Sequence, residues 1–137
     1  MTATISLSST LTPDMIRPAA IAVLRREGWI QGTYASNKPG GHGCCIVEAI
    51  GRAAGLPPFA LARTKPRRAD IEAIGRAAFM ARWDAAHNLM DEIATYLGRN
   101  PEDDELSPKW LLTNWNDTKG GTQAQVEAAL EGDQESA

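Results

Sequence analysis

The chain has 137 residues, 43% of them hydrophobic and 23% charged. That length is one domain's worth, enough to bury a core without disulfides or metal, and twelve Gly with eight Pro exclude collagen-like and wholly disordered classes. The net charge of −3 hides a split: residues 1–82 carry eleven Lys/Arg against five Asp/Glu, whereas residues 83–137 carry three against twelve.

Residues 1–11 are Ser/Thr-rich with isolated apolar residues and are expected to form a flexible arm. They have neither the basic nor the apolar region of a signal peptide, so a cytoplasmic location is expected. Thr12 is a good N-cap and Pro13 suits the first helical position, where its missing N–H has no partner to lose. Ile16, Ala20, Val23 and Leu24 then form one apolar stripe, and Gly28 closes the helix. Pro18 sits awkwardly inside it, because it removes a bond and crowds the preceding turn. Trp29 to Tyr34 suit a short extended piece, and Asn37 to Gly43 a Gly-rich loop, so residues 29–43 are an expected excursion from the helices. A helix is expected from near Cys44 to Gly55, stopped by Pro57 and Pro58. A basic connector follows with Arg63, Lys65, Arg67 and Arg68.

From about Asp70 to Leu97 two apolar stripes run at helical spacing, which predicts a long central helix with a break at His87-Asn88. The acidic stretch at 101–105 reads as a loop. Ser107-Pro108 opens a short helix carrying Trp110, Leu111 and Leu112. Trp115, Asn116 and Asp117 then read as a fixed corner before the last helix, which Thr122 and Gln125 announce as a capping box. The heptapeptide EAIGRAA occurs at 48–54 and again at 72–78. The fold class expected is all-α or nearly so: one domain over 12–131 with four to five helices, and a frayed tail at 132–137.

Three segments taken together resemble a known family: REGWIQG at 26–32, GHGCCIVEAIGRA at 41–53, and Trp115-Asn116-Asp117 followed by Thr122, Val126 and Leu130. The family consists of small proteins of actinobacteria and their phages and is known only as a domain of unknown function. The resemblance implies an intracellular, single-domain, largely helical protein and brings no catalytic residues with it.

Cys44 and Cys45 are adjacent, and neighbouring cysteines rarely bridge because their side chains diverge. At a helix N-terminus beside glycines and His42, either thiol suits a nucleophile, with His42 or His87 as base and Asn116 or Asp117 orienting it. Equally, cysteine is a small apolar residue that belongs in a core. Zinc ligands usually come as two spaced pairs; here there is one crowded cluster, so neither metal nor cofactor is expected. The connector cations suit phosphate contact, although the acidic total charge opposes it. Trp29 or Tyr34 is expected at the rim of a pocket with Asn116 and Asp117, and Trp115 in the core with its indole N–H on a carbonyl. No complete catalytic constellation is visible. The leading expectation is therefore a non-enzymatic interaction or regulatory module that binds a protein partner through its polarised charge and has no membrane role. The candidate binding residues are Trp29, Tyr34, Arg63, Lys65, Arg67, Arg68, Trp115, Asn116 and Asp117. Alternatives are a small Cys-dependent enzyme and a weak nucleic-acid binder using Arg63 to Arg68.

Overall fold

Thr12 and Gly28 bound the first helix, α1 (Pro13–Glu27): the Thr12 hydroxyl accepts from the Met15 N–H, and the Gly28 N–H donates to the Leu24 carbonyl. The computed structural model describes residues 11–35, 42–98, 107–118 and 121–132. The expected arm before Leu11, most of the Gly-rich loop, the acidic loop at 101–105 and the tail beyond Gly132 lie outside these described residues. Pro18 falls inside α1, which runs on through it.

Beyond α1 the chain forms α2 (Ile46–Ala53), α3 (Arg68–Ile74), α4 (Arg76–Tyr96), α5 (Pro108–Thr118) and α6 (Gln123–Glu131). That makes six helices among the described residues instead of the four to five expected, because the long central pattern is two helices. Its break lies at Gly75, with φ +102°, and not at His87-Asn88, which α4 carries without interruption. A residue with a side chain is strained at that φ, so glycine is the punctuation mark.

Residues 28–35 wrap around Cys44 as isolated bridges, parallel at Trp29 and antiparallel at Ala35. Cys44 N–H donates to the Gly28 carbonyl at 2.9 Å, Ile30 N–H to the Cys44 carbonyl at 3.2 Å, and Cys45 N–H to the Tyr34 carbonyl at 2.9 Å. The approach is close enough that a Cβ on Gly43 would lie 2.5 Å from Ile30 Cγ2. No strand forms among the described residues.

The longer of the two helices in the long pattern, α4, is central: it packs against α1, α2, α3, α5 and α6, and α1 lies along α2. The shared core contains Ile16, Leu24, Ile50, Phe79, Ile93 and Leu130, all fully buried. Burying such side chains contributes about 1.5–3 kcal/mol each. Ser107 caps α5 by accepting from the Trp110 N–H, and the Thr122 hydroxyl accepts from the Gln125 N–H at the start of α6. Among the described residues no helix is long and apolar enough to cross a membrane.

Candidate functional site

Trp115, Asn116 and Asp117 lie inside the last turns of α5, where a corner between helices was expected. The helical backbone there needs nothing from the Asn116 side chain, which is free to serve distant segments. Asn116 is 0% exposed. Its Oδ1 accepts from Trp29 Nε1–H at 2.7 Å and from the Ile46 N–H at 3.1 Å. Its Nδ2 donates to the Ile30 carbonyl and to Asp117 Oδ1, each at 3.1 Å. The Asn116 carbonyl accepts from Gln31 Nε2 at 2.9 Å, and Asp117 Oδ1 also accepts from the Gly32 N–H at 2.9 Å. Ile46 is the first residue of α2, whose own N-cap Cys45 offers no side-chain cap bond. Asn116 thus supplies the missing acceptor from the far end of the chain.

This junction gathers Trp29, Asn116, Asp117 and the cysteine segment, and Tyr34 joins it through its backbone. Trp115 points elsewhere, lining a hollow with Leu97, Gly98, Leu111 and Asn114. Residues 8–132 match the model of a family of unknown function (DUF6197). The chain belongs to that family. The DUF6197 match runs from ahead of α1 to the last described residue, so the whole junction lies within it. Searches among curated proteins and among solved structures gave no match.

In this DUF6197 chain the cysteines are core residues by placement: Cys44 is 0% exposed and Cys45 2%. Burial pushes the Cys44 thiol up to about 11, against a partial lowering by Arg52, and pushes Cys45 up to about 12. Backbone N–H groups of Glu48 and Val47 reach Cys45 and lower it only in part. Desolvation outweighs the helix terminus, so both sulfurs stay protonated at neutral pH. Burial and the raised thiol values both disfavour the thiolate that a nucleophile needs. His42 is exposed, and His87 sits apart, its ring against Trp83 with centroids 4.5 Å apart. Among the described residues no three His, Cys, Asp or Glu side chains converge as metal ligands.

Two further groups escaped the sequence reading. Glu48, 1% exposed, accepts from Arg52 Nε at 2.9 Å and from the Phe59 N–H at 3.0 and 3.2 Å. It pins the connector where Phe59 takes φ +65°, a conformation uncommon outside glycine. A buried carboxylate survives only when paired and hydrogen-bonded, as here. The only signal for Glu48 was an acidic residue amid an apolar run. Lys109 is the other: its ammonium donates to the Arg63 carbonyl at 3.1 Å, which ties the basic connector to the start of α5.

The connector cations stand on the surface. Arg67 is held by Asp70 at 2.9 Å, while Arg63, Lys65 and Arg68 are exposed and make no ion pair among the described residues. The two charge halves do meet, but at α1: Arg17 pairs with Glu92 and Arg25 with Glu127, each at 2.8 Å.

Proposed function

We propose that this chain is a small intracellular, non-enzymatic interaction module of an actinobacterial or phage accessory system, binding a protein partner through its basic face. One observation carries the reading. Arg63, Lys65 and Arg68 remain exposed without a carboxylate among the described residues, whereas the α1 cations are paired. Cations of this kind steer and orient an oppositely charged partner. The burial of both thiols supports a binding role over catalysis at Cys44 or Cys45. Trp29, Asn116 and Asp117 serve this function as scaffolding, since their polar groups bond to one another and to nearby backbone.

The test is a pull-down from the source cell's lysate with the protein and with the triple variant Arg63→Glu, Lys65→Glu, Arg68→Glu, read by mass spectrometry. The expected result is a protein retained by the wild type, lost with the triple variant, and released by added salt. Equal retention by both overturns the reading. A retained species that nuclease treatment removes assigns the connector to nucleic acid instead.

A further inference from the structure

Behind the basic connector lies an open recess of about 320 Å³, lined by Thr64, His87, Ser107, Pro108 and Lys109. Three elements meet there: the connector, the middle of α4 and the start of α5. Its polar groups are specific in what they leave free. His87 Nδ1 lies 2.9 Å from the Trp83 carbonyl. A carbonyl only accepts, so Nδ1 must be the donor in this contact, and the tautomer with its proton there offers Nε2 as an acceptor. The Lys109 ammonium spends one N–H on the Arg63 carbonyl and keeps two donors. Partial burial lowers that ammonium's pKa, a desolvation that a facing carboxylate would offset. Thr64, Ser107 and Pro108 complete the wall among the described residues. Next to Lys109 in α5, Trp110 is 54% exposed, and exposed tryptophans are frequent anchors of protein interfaces.

The charges around the recess narrow the ligand. Arg63 and Lys65 stand on the connector side. Asp84 is exposed on α4, about one turn before His87. A long polyanion such as a nucleic acid strand meets repulsion along α4, whereas a short segment with carboxylates on one side does not.

We infer that this recess anchors an acidic peptide segment of the partner: a carboxylate on the Lys109 ammonium, an N–H on His87 Nε2, and an apolar side chain against Pro108. The inference rests on the interaction-module reading and names the chemistry of its partner. The arrangement gives the peptide both a charge contact and an apolar plug, the usual pairing of orientation and affinity in small concave sites.

The experiment is fluorescence anisotropy on the full-length protein with fluorescein-labelled Glu-Glu-Leu-Glu-Glu. Glu-Glu-Ser-Glu-Glu and a short oligothymidylate are the comparison probes. Saturable binding of the leucine peptide is expected, weakened about tenfold by Lys109→Met and lost with Thr64→Trp, which fills the recess from an exposed position. Amide shifts on adding the leucine peptide are expected at Thr64, His87 and Lys109, and they also report that the variants remain folded. The inference is overturned if no peptide binds, if leucine and serine peptides bind alike, if oligothymidylate binds at least as tightly, or if the shifts lie elsewhere. A lysate partner lost with the triple connector variant but retained by Thr64→Trp overturns this inference alone. A partner retained by both overturns the interaction-module reading as well.

Discussion

Asn116 is the residue on which the most separate parts of the chain depend. Replacing it by leucine, of similar volume, leaves the Trp29 indole N–H and the Ile46 amide without acceptors in a buried place. The expected loss is about 2–4 kcal/mol, since each stranded group contributes roughly 1–3 kcal/mol, and a urea midpoint measures it. The cysteines make a different kind of prediction. The unfolded chain releases their protons near the ordinary thiol value of 9.0, while the folded chain holds them to about 11 for Cys44 and about 12 for Cys45. Below the unfolded value both states are protonated and the thiols contribute nothing to the pH dependence. Above it the folded state binds more protons, so stability falls as pH rises, by up to about 1.4 kcal/mol per pH unit per thiol. The variant Cys44→Ala, Cys45→Ala should therefore show a flatter decline in stability than the wild type between about pH 9 and 11. In the same vein, iodoacetamide at pH 8 should leave both native cysteines unlabelled and modify both once the protein is unfolded, as read by mass spectrometry.

At the scale of the element, the two copies of EAIGRAA show how little a heptapeptide decides alone. In the first copy Gly51 lies inside α2, Glu48 is buried and Arg52 pairs with it. In the second, Gly75 separates α3 from α4, and Glu72 and Arg76 are exposed. The difference comes from what surrounds them: Leu61 packs over Gly51, where an added Cβ would lie 3.2 Å from its side chain, whereas nothing approaches Gly75. Gly75→Ala places a side chain at φ +102° and should destabilise by about 1–3 kcal/mol. Gly51→Ala gains roughly 1 kcal/mol of helix propensity against the crowding by Leu61, and its thermal midpoint should move less. The helix ends at Thr12, Gly28, Ser107 and Thr122 were legible because their signals are local: a hydroxyl or a glycine acting within a turn or so of itself. The junction was not legible, because Asn116 serves Ile46 and Trp29 across 70 and 87 residues of sequence. The same holds for Lys109 and for the Phe59 contact of Glu48, since both reach backbone groups of the irregular connector; only the Glu48–Arg52 pair follows a helical spacing.

For the whole molecule, the opposed charges of the two halves act as a clasp at α1. Arg17 donates to Asp14, to Glu92 and to the Leu130 carbonyl at the end of α6, so a single guanidinium joins α1, α4 and α6. Arg17→Met retains the aliphatic stem and removes the clasp. The expected loss is about 1–2 kcal/mol, discounted because Glu92 and Asp14 are well exposed to solvent, and a chemical denaturation curve checks it. The cap on α2 has a further consequence for how the chain is made. During synthesis the cysteine segment leaves the ribosome well before Asn116 is added to the chain, and until then its first amide and the Trp29 indole have only water to bond. The early part of the protein therefore waits, partly formed, for a late residue to close it. A nascent chain halted ahead of Asn116, which lacks α6 as well, should remain open to proteases that the finished protein resists, so that the molecule is committed to its fold only once the late helices α5 and α6 are in place.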